Sequence, residues 1–428
     1  VLKKPGGVVD MGIRRGVAGV HVLLALVHIY WATGASWPAM DQRSLSQAVL
    51  GGAVSFAPQV VLPLAAFHLV LATAVLTSGR YRAARLLVLA LVAGLTARAA
   101  VGVVWALGIG TDTSTPFYWL NLFVYTPACA VLVLADLRLL QGRWLSRVAV
   151  VTPVVLIAVL SFVAYGYQPP EQPRLVASAD SRYVDTAVAK FHYLQRGTGA
   201  PVVLLSPGAA PASAWQPQLD ALSRNHAVYV VDLPGQGETR LHDESFTFDL
   251  DGMTGSLGEF LDKLGLPKVT LGGNSWSGGW GLAYAQRHPE RVERLLLLAP
   301  SGLAERDPES WEIPKLPLAG ELLAKLGTGR STVQTAVRSL FVHKELVTPP
   351  LVDQMWVPGT YRDNVRSMYA LERGLDWRVT QAAMPSTRQR ALVIWGTGDT
   401  VLPVAQAQRF GSLLPNATVQ VLARCGHA

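Results

Sequence analysis

The sequence predicts an α-helical transmembrane bundle of about five spans followed by an α/β part, a mostly parallel sheet with an inserted helical lid. Three observations predict it. Five apolar stretches with few charges lie between Gly16 and Tyr167, each close to the ~20 residues a helix needs to cross a bilayer. After Pro169, short apolar strands alternate with amphipathic helices, the pattern of parallel strands covered by helices on both faces. The stretch Leu271-Gly-Gly-Asn-Ser-Trp-Ser-Gly-Gly-Trp280 enters as a strand and leaves with helical spacing, which is the setting of an exposed serine on a strand-to-helix turn.

Composition divides the chain at the same place. Half of the 428 residues are hydrophobic (50%) and mean hydropathy is +0.29, high for a soluble protein. Up to Tyr167 there are 12 Lys and Arg against 4 Asp and Glu, and afterwards 25 against 25, so the net charge of +8 belongs to the first part. A neutral second part with interspersed basic residues argues against nucleic acid as a partner, although the pI is near 9.6. Cys129 and Cys425 are too few and too dispersed for a disulfide framework or a metal cluster.

The expected spans are Gly16 to Thr33, Val54 to Thr77, Leu86 to Ile109, Phe117 to Leu139 and Val148 to Tyr167. Basic residues alternate between their ends. Lys3, Lys4, Arg14 and Arg15 precede the first span, Arg80, Arg82 and Arg85 separate the second and third, and Arg138, Arg143 and Arg147 separate the fourth and fifth. By the positive-inside tendency the amino terminus is cytoplasmic and the globular part lies outside. Trp31, Trp37, Phe117, Tyr118, Trp119, Tyr165 and Tyr167 mark the outer face. Within the spans, Arg98 is a functional candidate because a mid-membrane charge is costly, or else a residue satisfied by backbone carbonyls. His21, His28, His68 and Asn121 are the other polar residues noted there, and histidines without a carboxylate partner read as packing residues.

Residues 168–180, with Gln168-Pro-Pro-Glu-Gln-Pro173, read as an extended linker. Paired strands follow over Arg182 to Val188 and Ala189 to Gln195, then a strand from Val202 to Leu205, the turn Ser206-Pro-Gly-Ala-Ala210, a helix near Ala214 to Leu222 and a strand from Ala227 to Val231. Asp232-Leu-Pro-Gly-Gln-Gly237 is a tight turn that Asp232 braces. After the serine turn comes a strand from Val292 to Leu298, and residues 302 to about 384 break the rhythm as a helical lid. Ala391 to Trp395, a helix from Leu402 to Leu414, and Ala417 to Leu422 restore it. The expected organisation is therefore 1–167 helical membrane domain, 168–180 linker and 181–428 α/β domain.

Five of these motifs in order, Ser206-Pro-Gly-Ala209, Asp232-Leu-Pro-Gly-Gln-Gly237, Gly273-Asn-Ser-Trp-Ser277, Ile394-Trp-Gly-Thr-Gly-Asp399 and Arg424-Cys-Gly-His427, resemble the α/β-hydrolase family. The order Ser, Asp, His is the one that fold imposes. The resemblance implies a catalytic triad of Ser275, Asp399 and His427, with an oxyanion hole from the backbone N–H groups of Trp276 and Ala209. It needs no metal and no organic cofactor. The run His28-Ile-Tyr-Trp-Ala-Thr-Gly34 resembles small four-helix bacterial membrane proteins of unknown function. In the hydrolase family a further helix follows the histidine, so the sequence is expected to be a fragment.

The expected protein is an integral membrane serine hydrolase of a bacterial plasma membrane with its hydrolase domain extracytoplasmic. It acts on an ester-like or other acyl bond of an apolar small molecule or lipid. Asn274 and Arg424-Cys-Gly-His427 also resemble hydrolases of carbon–carbon bonds in ring-fission products. A non-catalytic sensor or scaffold, or a transporter with an accessory domain, are the readings from other classes.

Overall fold

A computed structural model describes residues 6–140, 143–305 and 309–427. The chain divides into two compact units: Val1–Tyr167 with Pro308–Leu322, and Gln168–Asp307 with Leu323–Ala428.

The first unit is helical. Its helices are α1 (Gly6–Ala32), α2 (Gln42–Leu50), α3 (Pro58–Thr77), α4 (Arg82–Ala106), α5 (Pro116–Leu120), α6 (Thr126–Leu139) and α7 (Arg143–Ser161). Among the described residues, five stretches are long and apolar enough to cross a membrane: Met11–Ala32, Pro58–Thr77, Arg82–Ala106, Pro116–Leu139 and Arg147–Gly166. These match the five expected spans. The short helix α2 was not expected; Asp41 caps it by accepting from Ser44 N at 2.7 Å. A wider π turn, Asn121–Tyr125, joins α5 to α6. It turns Asn121 inward, where Nδ2 donates to Gly102 O at 2.8 Å and Oδ1 accepts from Arg98 Nη1 at 3.0 Å. The Arg98 guanidinium also lies over the Trp105 and Tyr125 rings, at 5.2 and 5.9 Å. Arg98 is therefore met by a neutral amide and two aromatic faces.

The second unit is built on a nine-stranded sheet in the order β1-β2-β4-β3-β6-β7-β8-β9, with β5 paired to β2. The strands are β1 (Ser181–Asp185), β2 (Ala189–Arg196), β3 (Ala200–Leu205), β4 (His226–Val231), β5 (Arg240–Leu241), β6 (Val269–Asn274), β7 (Val292–Leu298), β8 (Arg390–Gly396) and β9 (Ala417–Leu422). The β1–β2, β2–β4 and β2–β5 pairs are antiparallel and the remaining pairs parallel. The central strands β3 and β6 are buried on both faces, as in a parallel sheet covered by helices. Along β3, Val203 and Leu205 enter the core with Trp280, Tyr284 and Phe260, while Val202 and Leu204 enter a second core with Trp215 and Leu219.

The helices covering the sheet start with α8 (Gln216–Leu222), α9 (Leu250–Lys263) and α10 (Trp276–Arg287). Between β7 and β8 come α11 (Glu309–Glu312), α12 (Ala319–Leu326), α13 (Arg330–Leu340), α14 (Pro349–Gly359), α15 (Arg362–Gly374) and α16 (Trp377–Ala383), and α17 (Ala405–Leu413) precedes β9. The insertion expected as one lid over 302–384 is not a single body, because Pro308–Leu322 groups with the helical unit. There Pro317 lies against Gly51, Lys315 O closes on Gly52, and Leu318 joins Val101, Trp105 and Phe117. An apolar, proline-rich strip gains burial in that way. The helix expected from Leu402 starts at Ala405, because Asp399 Oδ1 holds the preceding turn through Val401 N and Leu402 N at 2.8 and 2.9 Å.

Candidate active site

Ser275 stands between β6 and α10 with φ 59° and ψ −129°. A side chain in that region of backbone space costs roughly 1–3 kcal/mol and persists only where its surroundings fix it. Here Ser275 N donates to Leu298 O at 3.0 Å, and Ser275 O accepts from Ser301 N at 2.9 Å. The chain doubles back so tightly that a Cβ on Gly273 would come within 2.5 Å of Ser277 C and O. Ser277, two residues after Ser275, stands where the tight turn leaves room only for a small side chain, and its hydroxyl is absorbed. It accepts from Asn274 N at 3.0 Å and lies 2.9 and 3.2 Å from the carbonyls of Asn274 and Leu205.

Asp399 and His427 meet beyond the ends of β8 and β9. His427 Nδ1 lies 2.8 Å from Asp399 Oδ2, with the two side chains 5% and 0% exposed. The other Asp399 oxygen receives the two backbone N–H groups of its own turn, so one carboxylate both shapes that turn and holds the imidazole. The histidine loop is tied on three sides. Gly398 N donates to Cys425 O, His427 N donates to Leu340 O, both at 2.9 Å, and Arg424 N donates to Thr397 Oγ1 at 3.0 Å. Asn274 Nδ2 closes the arrangement by donating to His427 O at 3.0 Å and lying 3.1 Å from Leu298 O. The histidine is thus anchored to the residue that precedes Ser275. Among the described residues, no hydrogen bond joins Ser275 Oγ to His427.

The loop after β3 reaches the same place. Ala209 has φ 60°, and a Cβ on Gly208 would lie 2.7 Å from the Trp276 ring, so the Ala209 loop is packed against the start of α10. Asp232, fully buried, organises this loop from behind. Its Oδ1 accepts from Ala212 N at 2.6 Å and its Oδ2 accepts from Glu238 N at 2.9 Å. Ser206 Oγ donates to Gln236 Oε1 at 2.7 Å. Helix α15 is fixed to the same turn, with Asn364 Nδ2 donating to Gly237 O at 2.9 Å and Ser367 Oγ to Gly235 O at 2.7 Å. Beside it, burial pushes the Tyr361 phenol up, and the Glu238 carboxylate at its hydroxyl adds to the effect.

Asp232 also holds His192, an arrangement the sequence reading missed. His192 Nδ1 is 2.7 Å from Asp232 Oδ2 and its Nε2 is 2.5 Å from Ser181 Oγ. This is a hydrogen-bonded serine–histidine–aspartate chain, but Ser181 opens a regular strand and not a strained turn. No motif signals it, because His192 lies in a strand 40 residues from Asp232.

Comparison with known proteins bears on this arrangement. The alpha/beta hydrolase fold family matches residues 201–428, more than half of the chain. The chain belongs to that family. A second family, described as a protein of unknown function (DUF3995), matches residues 21–135, within the helical unit. The hydrolase is similar to a dihydrolipoyllysine-residue acetyltransferase component of an acetoin cleaving system from Cupriavidus necator, 28% identical over 257 residues. That match covers 59% of this chain and 65% of that protein. It is also similar to a 2-hydroxy-6-oxononadienedioate/2-hydroxy-6-oxononatrienedioate hydrolase from Burkholderia vietnamiensis, 30% identical over 58% of this chain and 90% of the other. Among solved structures, a meta-cleavage product hydrolase from Pseudomonas fluorescens IP01 shares the fold, with TM-score 0.50 and 24% identity over 57% of this chain and 90% of that one.

Proposed function

We propose that the chain is a membrane-anchored serine hydrolase that cleaves an ester-like or other acyl bond of an apolar small molecule or lipid through Ser275, His427 and Asp399. The observation that carries this reading is the Asp399–His427 pair at 2.8 Å, held by Asn274 beside a serine in the strained elbow conformation. Ser275 Oγ attacks the acyl carbonyl and its proton passes to His427 Nε2. His427 gives that proton to the leaving group, and a water then repeats the sequence to release the acid. Asp399 fixes the imidazole with Nδ1–H toward the carboxylate and stabilises the imidazolium. The oxyanion is held by the backbone N–H groups of Trp276 and Ala209, each contributing roughly 3 kcal/mol in the transition state. No metal or cofactor takes part in these steps.

Labelling of membranes with a fluorophosphonate probe tests the assignment. The parent protein is expected to label and Ser275→Ala is not; equal labelling of the two removes Ser275 as nucleophile. An unlabelled but folded parent favours a non-catalytic scaffold. A second reading, hydrolysis of a carbon–carbon bond, is favoured by the similarity to the Burkholderia vietnamiensis hydrolase. Parallel assays on p-nitrophenyl esters and on a 2-hydroxy-6-oxo dienoate separate the two.

The same reading places the protein in a bacterial plasma membrane with the amino terminus cytoplasmic and the hydrolase part outside. The support is the basic side chains at alternate span ends, Arg14 and Arg15, then Arg80, Arg82 and Arg85, then Arg138. Protease added to intact cells is expected to cut after Gln168, and protection there reverses the orientation.

A further inference from the structure

Arg98 lies on α4 inside a span, and among the described residues no carboxylate pairs with it. Its guanidinium carries five N–H donors and no acceptor. Nη1 donates to Asn121 Oδ1 at 3.0 Å, and Cζ stands over the Trp105 and Tyr125 rings at 5.2 and 5.9 Å. The edge formed by Nε and Nη2 has no protein acceptor among the described residues, and neither nitrogen is sealed from a ligand. That edge presents two parallel N–H bonds, the arrangement that receives both oxygens of a carboxylate.

The surroundings hold the side chain in this place. Asn121 is 0% exposed, and its amide is fixed on both sides. Nδ2 donates to Gly102 O at 2.8 Å, while Oδ1 accepts from Thr126 Oγ1 at 3.1 Å as well as from Arg98. Gly102 leaves the room, since a Cβ there would lie 3.0 Å from Arg98 Nη1 and 2.0 Å from Thr126 Oγ1. Glycine inside a helix lowers stability relative to alanine, so this position serves the two side chains and not the helix.

The same contact puts the guanidinium level with Gly102, one turn short of the end of α4 at Ala106. That end is closed. Trp105 is 8% exposed and Phe117 2%, Leu318 packs with them, and Trp105 Nε1 is tied to Tyr165 Oη at 3.4 Å. Arg98 therefore lacks the open route to water that a long basic side chain near a span end ordinarily takes. One amide and two rings return only part of the hydration that a guanidinium loses in apolar surroundings, and an anion at the free edge supplies the rest.

We propose that the Nε–Nη2 edge of Arg98 binds the carboxylate of an apolar single-chain acid, whose tail lies among the exposed apolar side chains of the spans. The site is separate from Ser275, and it stands whether or not the chain is a hydrolase. Two considerations favour this head over a lipid phosphate. A carboxylate ends its chain, whereas a phospholipid phosphate continues into a headgroup that Trp105, Phe117 and Leu318 obstruct. A carboxylic acid also sheds its charge by taking up a proton and so crosses apolar surroundings to the site, which a phosphodiester does not do in neutral water.

The test measures binding of tritiated palmitate to the full chain in phosphatidylcholine nanodiscs, with empty nanodiscs subtracted. The parent is expected to bind saturably. Unlabelled palmitate is expected to displace the label, and methyl palmitate, which has no charge, to leave it bound. Arg98→Gln is expected to bind roughly tenfold more weakly or worse while eluting as a monodisperse protein, and Arg98→Lys, which keeps the charge without the fork, to fall between the two. Palmitate is expected to raise the unfolding temperature of the parent and not that of Arg98→Gln, a difference that a merely structural role for Arg98 does not produce. A parent that binds no more than empty nanodiscs overturns the proposal, as does an Arg98→Gln or Arg98→Lys protein that binds like the parent, or displacement by methyl palmitate. If phosphatidylglycerol added to the nanodiscs abolishes palmitate binding, the head held here is a phosphodiester and the carboxylate assignment falls.

Discussion

Asn274 does two jobs with one amide. Its Nδ2 faces Leu298 O and His427 O, and its backbone N–H is held by Ser277 Oγ, so it ties the Ser275 turn to the loop that carries His427. Asn274→Ala removes one such tie, worth about 1 kcal/mol net, and lets the histidine wander. We expect kcat to fall roughly fivefold with KM little changed, since about 1.4 kcal/mol is tenfold in rate; a change confined to KM contradicts this role. Asp399→Asn acts more directly. An amide presents the wrong hydrogen-bonding partner to Nδ1, and kcat is expected to drop by about 10⁴-fold with the same fluorophosphonate-accessible fold, checked by circular dichroism. At this scale the sequence marked Ser275, Asp399 and His427, the three groups proposed to react, through their local motifs. It did not show Asn274 holding His427, because the two are 153 positions apart and only the folded sheet brings them together.

Among the elements, the turn from Asp232 to Gly237 connects more parts than its tight-turn signature suggests. Asp232 receives Ala212 N from the Ala209 loop, Glu238 N from its own turn and His192 from β2, while α15 is fixed to Gly235 and Gly237. Asp232→Ala leaves several buried donors without an acceptor, and we expect a loss of about 3 kcal/mol of stability, measured as a lower midpoint in chemical denaturation. The Ser181–His192–Asp232 chain lets the elements be separated from the chemistry. Ser181 lies in β1 with extended backbone neighbours and no doubled-back turn, so Ser181→Ala is expected to label with fluorophosphonate as the parent does, where Ser275→Ala is silent. Loss of labelling in Ser181→Ala moves the nucleophile to β1. The alternation of strands and helices was legible because buried parallel strands are short, apolar and bounded by turn residues. The two-residue β5 and the helix α2 were not, since neither is long enough to show a period.

At the scale of the whole molecule, the division seen in charge and hydropathy near Tyr167 is also a division into two compact units, with one exception. Pro308–Leu322 comes from the middle of the α/β sequence and groups with the helical unit. Composition could not reveal this, because an apolar strip with prolines reads equally as lid. The reason it belongs there is burial: Leu318 shares a cluster with Val101, Trp105 and Phe117, and Pro317 packs on Gly51. Burying a leucine side chain gains about 1.5–3 kcal/mol over leaving it in water. A polypeptide of residues 168–428, made without the helices, therefore carries Pro317 and Leu318 with nothing to cover them. We expect it to aggregate, and replacement of those two residues by serine to raise the monomeric fraction in gel filtration while leaving Ser275 labelling intact. If the unaltered polypeptide is just as monomeric, the strip has a covering within the α/β unit, and the grouping with the helices is not what keeps it from water.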